Sequence, residues 1–198
     1  MQEQLAADPE FGLRRAAIEE STQRWLEEHY DENVGRAVVT IPVVVHVVYS
    51  TTSQNISQAQ IQSQIDVLNE DYGATNADVT DVPSVWTSLV ADSEIRFQLA
   101  NNDPDDNLTN GITRTETTVT NWNGSDDVKY TALGGHDAWP AASYLNIWVC
   151  NIGGGLLGYA YQPGINAQLD GVVIGYRYFG LDSQSATYDL GRTATHEI

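Results

Sequence analysis

The pattern of apolar positions divides the chain into a helical start and a longer region of strands and helices. Apolar residues recur at roughly helical spacing through FGLRRAAIEESTQRWLEEHY, at Phe11, Ala16, Ile18, Trp25 and Leu26. This spacing predicts one or two amphipathic helices, followed by a polar linker at 31–36. Residues 1–36 are therefore interpreted as a helical N-terminal extension, and residues 37–198 as the main domain.

From Val38 onward the pattern changes to that of buried strands. The run VVTIPVVVHVVY is continuous and β-branched, which is typical of a strand buried on both faces. His46 lies inside this run, and we expect it to be a hydrogen-bonded core residue and not a metal ligand. Further strands are predicted in EIRFQLA, YLNIWVCNI and GVVIGYRYF.

One amphipathic helix is predicted between the first two strands. Ser57 is a typical N-cap for a helix over 57–72, and Ile61, Ile65 and Leu68 form a single apolar stripe on it. The order of elements is strand, helix, several strands and a last helix that starts near Leu190. The predicted fold class is α/β (α+β) with a mixed sheet.

The end of the chain carries the most specific candidate chemistry. Leu190, Ala194 and Ile198 recur every four residues and would face the sheet. His196 would then lie about 200° around the helix from Ala194, away from the core. His196 and Glu197 open the pattern H-E-x-x-H, in which two His bind zinc. The second His would fall two residues beyond Ile198. The dipeptide taken by itself favours the alternative of a solvated helix end, so the motif depends on the rest of the chain.

The two residues suit different roles at a metal centre. Zinc held by neutral imidazoles lowers the pKa of a bound water to about 7, and a carboxylate can take its proton as the water attacks a peptide carbonyl. His196 is therefore the candidate ligand, and Glu197 is the candidate general base. Because one His does not hold a catalytic zinc, further ligands are expected beyond Ile198.

Two polar or glycine-rich segments leave alternatives open. The stretch 153–159 (GGGLLGY) is either a plain turn or a bulged edge strand whose free backbone groups pair with an extended peptide. It has no Lys, so it is not a phosphate-binding loop. The stretch 101–110 is favoured as a solvated loop over a Ca²⁺ site, because it lacks EF-hand spacing. Cys150, within a predicted strand, is expected to be inert packing.

The charge excludes several classes of partner. With 27 acidic and nine basic residues the formal net charge is −18, which argues against nucleic acid and against anionic membrane surfaces. No apolar run is long enough to cross a membrane. The start MQEQLAADPE has no signal-peptide pattern, so either the protein is cytosolic or the true start lies upstream of Met1. The acidic composition suits a secreted protein, and we therefore expect the second alternative.

Several segments together resemble a known family. IPVVVHVVY, NISQAQIQSQIDVLNEDY, LNIWVCNIGGGLLGYAYQP, DGVVIGYRYFG and YDLGRTATHEI are similar, in this order, to the pappalysin family of metzincin metallopeptidases, and to its ulilysin-like bacterial branch. The resemblance covers most of 37–198. It implies a metzincin-like upper subdomain, with a twisted mixed sheet, a backing helix and an active-site helix truncated inside H-E-x-x-H.

The resemblance also implies a function and a set of site residues. It implies a zinc-dependent endopeptidase acting on protein or peptide substrates, present here as an incomplete catalytic domain, with His196 as the first Zn²⁺ ligand and Glu197 as the general base. Ca²⁺ is a second candidate cofactor. The substrate-aligning segment would comprise Gly154, Gly155, Leu156, Leu157, Gly158 and Tyr159. Residues 1–36 resemble the tail of a zymogen pro-segment. They contain no Cys, which leaves two alternatives: a Cys switch upstream of Met1, or an acidic switch within 3–8.

Two alternatives belong to other classes. A truncated, non-catalytic module of the same fold would offer its edge strand to peptides as a binding or interaction protein. A carbohydrate-binding domain with aromatic loops rests only on Trp86, Trp122 and Trp139.

Overall fold

A long central strand, β1 (Val39–Tyr49), organises a mixed sheet. The computed structural model describes residues 8–29, 37–181, 185 and 187–198. The other strands in this part of the chain are β2 (Ile95–Leu99), β3 (Ile112–Glu116), β4 (Leu145–Cys150), β5 (Gly158–Ala160) and β6 (Val172–Gly175). Its α-helices are α1 (Phe11–His29), α2 (Gln58–Tyr72) and α3 (Arg192–Glu197). None of these helices is long and apolar enough to cross a membrane.

The sheet is parallel except at one edge. The strand order is β2-β1-β4-β6-β5, and β3 also pairs with β1. β2 and β3 lie one after the other on the same side of β1: β2 pairs with its first half, up to Val43, and β3 pairs with its second half, from Val45. β4 pairs with β1 on the other side. β5 pairs antiparallel with β6. A short antiparallel strand therefore forms the edge of the sheet furthest from β2.

The sheet is buried on both faces at β1, as the β-branched run predicts. Val43, Val45 and Val47 pack in one core with the stripe of α2, which comprises Ile61, Ile65 and Leu68. Val48 points to the opposite face, into a second core with Trp148. The Ser57 side chain accepts a hydrogen bond from the Gln60 N–H at 3.1 Å and caps α2. The predictions for β1 and α2 are confirmed.

His46 is a core residue, as expected from its position in β1. It is fully buried, with Nδ1 2.8 Å from the Thr113 hydroxyl and Nε2 3.0 Å from the Asn146 side-chain oxygen. Burial, and then the nearby His136, lowers the pKa of His46 to about 3. Both ring nitrogens are therefore used in hydrogen bonds of a neutral imidazole.

The prediction of an amphipathic N-terminal extension is only partly correct. A single helix, α1, spans Phe11–His29, but Phe11 is its only buried apolar residue. Ile18, Trp25 and Leu26 are exposed, Trp25 by 54%. The predicted linker at 31–36 lies outside the described residues. Apolar spacing correctly predicted a helix here, but the apolar face that it also predicted is mostly exposed.

The aromatic and sulfur residues divide between core and surface. Cys150 is a free, buried thiol, and burial raises its pKa, so the prediction of inert packing is confirmed. Trp122 is buried in the second core, whereas Trp86 is exposed. Trp139 contacts Tyr144 edge-on. The three tryptophans on which the carbohydrate-binding hypothesis depends therefore lie in different environments and do not share one exposed surface.

Candidate active site

Helix α3 presents His196 and Glu197 to one cavity beside the edge strand. His196 is exposed, Glu197 is half-buried, and Ala194 on the other side of the helix is fully buried. His196 therefore points away from the core, as predicted. The cavity has a volume of about 290 Å³ and is lined by Leu157, Thr187, Tyr188, Leu190, Arg192, Thr193, His196 and Glu197.

The predicted apolar stripe of this helix is wrong at both ends. Leu190 precedes α3, where it bridges to Leu181, and it is 64% exposed. Ile198 is 37% exposed. Only Ala194 packs into the core. Gly191 at φ +70° turns the chain just before the helix begins, so Leu190 does not continue the face of Ala194. One small side chain is thus the sole apolar anchor of α3.

A buried amide of α2 anchors the start of α3. Gln64 is fully buried. Its Nε2 donates to the Gly191 carbonyl at 2.9 Å, and its Oε1 accepts from the Gly180 N–H at 2.7 Å. Because an amide buried without partners would be costly, this pair of bonds ties the turn before α3 to the backing helix.

A carboxylate at the end of α2 holds α3 a second time. Asp71 is only 7% exposed, and it accepts from Arg192 Nε at 3.0 Å and from the Thr195 hydroxyl at 2.7 Å. Arg192 also pairs with the exposed Asp78 at 2.9 Å. The hydrogen bond from Arg192 holds the pKa of the Asp78 carboxyl well below its usual range. Polar contacts to α2 and to the segment after it therefore set the position of His196 and Glu197.

Sequence reasoning missed Gln64 and Asp71, although the sequence contains a signal for both. They are seven residues apart and share the face of α2 that carries the apolar stripe. A polar residue at a core position needs a buried partner. Such residues on a backing helix therefore mark the place where another element docks.

The glycine-rich segment is a turn that leads into a short strand. Gly153, Gly154 and Gly155 all have positive φ, and the Leu156 N–H bonds back to the Gly153 carbonyl at 3.2 Å. Strand β5 begins only at Gly158. The interpretation as a bulged edge strand is therefore wrong for 154–156, and the turn alternative is correct there.

The two faces of β5 meet different surroundings. A methyl group added at Gly158 would stand 3.3 Å from the Glu197 Cγ, so Gly158 faces α3. Tyr159 points the other way, where its hydroxyl donates to the Ser125 carbonyl at 3.1 Å and its ring packs against the second core. Leu157, just before the strand, lines the cavity with His196. Of the segment 154–159, residues 157 and 158 lie nearest the His–Glu pair.

The only lysine of the chain anchors β5 from its far side. Lys129 is fully buried and donates to the Leu169 carbonyl at 2.7 Å and to Asp126 at 3.1 Å. Its ammonium lies 5.3 Å from the Tyr159 ring centroid and 4.8 Å from that of Tyr161. Burial lowers the pKa of Lys129. Burial, and then a hydrogen bond to Asp126, raises the pKa of Tyr161 to about 12.

The described residues do not complete a catalytic zinc site. Among them there is no group of three or more His, Cys, Asp or Glu side chains placed to hold a metal ion. A catalytic zinc takes three protein ligands, and His196 supplies one imidazole.

The loop 101–110, considered above as a Ca²⁺ site or a solvated loop, uses an acidic side chain in its own hydrogen bonds. The Asp103 carboxylate accepts hydrogen bonds from the Asp105 and Asn107 N–H groups at 3.0 and 2.9 Å.

The fold around this cavity closely matches one group of solved structures. The mostly parallel sheet and its helices match the fold of mirolysin, a pappalysin- and ulilysin-like metzincin. The resemblance inferred from the sequence is confirmed, and the chain is of metalloendopeptidase lineage.

The similarity to mirolysin is high over the shared region. Mirolysin in complex with compound 9, and Tannerella forsythia mature mirolysin in complex with a cleaved peptide, each match with 52% identity and a TM-score of 0.79. Each match covers 82% of this chain and 62% of the other. A T. forsythia promirolysin mutant matches with 46% identity and a TM-score of 0.82, over 98% of this chain and 64% of that one.

Curated relatives are more distant. Extracellular metalloproteases of Arthroderma otae and Pyricularia oryzae are 28% and 31% identical to the chain over 171 and 173 residues. The chain spans about half the length of these relatives (50% and 49%). No family model matches the chain.

Proposed function

We propose that this chain is the first part of a zinc-dependent endopeptidase domain, in which His196 is one metal ligand and Glu197 is the general base. The observation that carries the proposal is that these two side chains line one cavity beside the edge strand. The fold around it matches that of mirolysin, with 52% sequence identity. Zinc, when bound in such a site, activates water for attack on a peptide carbonyl. The remaining ligands would come from residues that follow Ile198.

The edge strand is the proposed docking site for peptide substrates. On one side β5 pairs with β6, and in the described part of the chain no strand pairs with its other side. An extended peptide can add to such an edge through main-chain hydrogen bonds. Leu157 and Gly158 adjoin Glu197, so a peptide on β5 would pass the His–Glu pair. One related mirolysin was solved with a cleaved peptide, which supports this substrate class.

The N-terminal extension is proposed to be part of a zymogen pro-segment. The promirolysin match covers 98% of this chain, whereas the mature mirolysin matches cover 82%, a difference of about the length of residues 1–36. In this chain Arg14 donates to the Gly164 carbonyl at 2.6 Å, so the first turns of α1 contact the segment after β5. Asp8 pairs with Arg14 and does not line the cavity with His196. The other positions of the predicted acidic switch, 3–7, lie outside the described residues.

Secretion and a calcium requirement have different support. The curated relatives are extracellular metalloproteases, which supports a secreted protein. Ca²⁺ stays a second candidate cofactor without an assigned ligand set. The non-catalytic peptide-binding module also stays an alternative, since it would use the same edge strand.

Reading the gene beyond Ile198 separates the enzyme from the module. We expect Gly-His next and a further His six residues later, and a stop codon directly after Ile198 would favour the module. Titration with zinc provides the second test. The protein made from the whole reading frame should bind one zinc tightly, whereas the isolated 198-residue chain should bind it no more tightly than a surface His does. Tight stoichiometric binding by the isolated chain would contradict the ligand assignment.

A further inference from the structure

A second cavity lies at the beginning of the edge strand and contains a guanidinium that forms no ion pair with the described residues. The cavity has a volume of about 260 Å³. It opens where β4 and β6 end, at Cys150 and Gly175, and the glycine turn forms one of its walls. Carboxyl ends of parallel strands are frequent ligand sites. Arg177, which is exposed, lies on its rim.

Arg177 is held in place by Tyr176, and no described carboxylate neutralises it. Its Nε donates to the Tyr176 hydroxyl at 2.9 Å, and its guanidinium lies over the Tyr176 ring. Within the residues that the structure describes, no carboxylate lies within ion-pair distance of it. Six other basic side chains there do form such pairs, namely Arg14, Arg15, Arg24, Arg96, Lys129 and Arg192. Of the described Lys and Arg side chains, only Arg114 also lacks an ion pair, and it donates instead to the Asn55 side chain and the Ile56 carbonyl.

The second cavity is next to the candidate active site. Leu156 lines the second cavity, and its neighbour Leu157 lines the cavity of His196. Tyr178 of the second cavity also packs edge-on against Tyr188 of the first, with ring centroids 5.8 Å apart. The glycine turn leaves room beside it, since nothing lies within 4 Å of a methyl group placed on Gly155. One bound peptide could therefore reach both cavities.

We propose that Arg177 forms a subsite for a carboxylate of the substrate, located C-terminal to the bond that is cleaved. This inference rests on the proposed peptidase function. Antiparallel pairing is the more stable arrangement for a strand added to β5. In that arrangement, peptide residues C-terminal to the cleaved bond lie toward the beginning of β5. The second cavity is at the beginning of β5 and would therefore lie C-terminal to the cleaved bond. Guanidinium groups bind carboxylates in two-pronged geometry, and the carboxylate could belong to Asp, Glu or the end of a peptide.

The test is a peptide series cleaved by the protein made from its whole reading frame and loaded with zinc. The peptides share one cleaved bond and carry Asp, Asn or Lys at the second, third or fourth position after it, with amidated C-termini. A further set ends in a free carboxylate at those positions. We expect kcat/KM for the best Asp or free-carboxylate peptide to exceed that of its Asn or amide counterpart about fivefold, with Lys lowest. The two sets show which carboxylate the site accepts.

Matched variants locate the effect. Arg177→Gln should abolish the preference, and Arg177→Glu should reverse it in favour of Lys. Arg96→Gln removes the same charge from β2 at the opposite edge of the sheet, and it should keep the preference. Equal cleavage of all peptides by the unchanged protein, or a preference that survives Arg177→Gln, would overturn the subsite while leaving the peptidase proposal intact.

A binding measurement keeps the two proposals separable. If no peptide is cleaved, the peptidase proposal fails, but the Arg177 subsite can still be tested by binding. The same peptides, carrying a fluorescent label, are titrated with the Glu197→Ala variant, and their affinity is measured by fluorescence anisotropy. Tighter binding of Asp than Asn peptides, lost on combining Glu197→Ala with Arg177→Gln, would support the subsite. Equal binding would overturn it.

Discussion

Gly158 in the edge strand and Glu197 in the last helix lie in direct apposition. A methyl group added at Gly158 would meet the Glu197 Cγ at 3.3 Å, the Val173 carbonyl oxygen at 3.0 Å and Ile174 Cδ1 at 2.7 Å. The side chain of Glu197, the proposed general base, therefore packs directly against the backbone of the edge strand at Gly158. The position of one depends on the position of the other.

The substitution Gly158→Ala should displace Glu197 relative to the edge strand. In the zinc-loaded protein we expect kcat to fall about tenfold or more, because small misplacements of a catalytic group have large effects on rate. Bound zinc should stay at the wild-type level. Ala160→Gly changes the same face of β5 two residues further on, and it should alter kcat less than about twofold. An unchanged kcat in Gly158→Ala would show that this contact does not position Glu197.

Asp71 should stabilise α3 far more than Asp78 does, although both contact Arg192. Asp71→Asn removes a nearly buried carboxylate that serves Arg192 and Thr195, and we expect a loss of about 1–3 kcal/mol in the free energy of unfolding. Asp78 is 54% exposed, so Asp78→Asn should leave the denaturation midpoint near that of the wild type. Equal effects of the two substitutions in urea denaturation would contradict the anchoring role of Asp71.

The buried face of α2 shows which structural features can be predicted from the sequence and which cannot. The apolar stripe of α2 and the β-branched run of β1 follow directly from spacing, because burial selects those residue types at those intervals. What spacing does not contain is the partner of a polar core residue. Gln64 and Asp71 bond to residues more than 100 positions away, and only the folded chain brings these together.

The candidate site was predictable to a different degree at each of its two elements. His196 and Glu197 were identified from the motif, and its helical geometry turns His196 outward. The stripe predicted for Leu190 failed because helical periodicity was extended through Gly191, where the backbone is left-handed. The glycine run 153–155 was ambiguous for the same physical reason, since residues without Cβ suit both turns and bulges.

Lys129→Met should loosen the edge strand from behind. The substitution leaves Asp126 without its cation and removes the ammonium from between the tyrosine rings. We expect the free energy of unfolding to fall by about 3 kcal/mol, with faster hydrogen exchange of the β5 amides. Asp127→Asn, at an exposed neighbouring position, is the control and should behave as the wild type. Wild-type exchange in Lys129→Met would remove Lys129 from this role.

His46 should make the fold sensitive to acid. Its pKa is about 3 in the folded chain, below the ordinary 6.5, so between these values the unfolded chain binds more protons. The stabilisation is present above pH 6.5 and is lost as the pH falls toward 3, at about 1.4 kcal/mol per pH unit. Urea denaturation between pH 6 and pH 5, where carboxylates contribute little, measures the slope. A flat profile there, or the same slope in His46→Gln, would contradict this assignment.

The role of Glu197 as general base at a zinc site is tested by comparing the wild type with Glu197→Ala in the protein made from its whole reading frame. Bound zinc and peptide hydrolysis are measured on the same samples. We expect one zinc in both proteins and hydrolysis only by the wild type. Continued hydrolysis by Glu197→Ala, or a wild type that holds zinc and cleaves no peptide, would contradict this role.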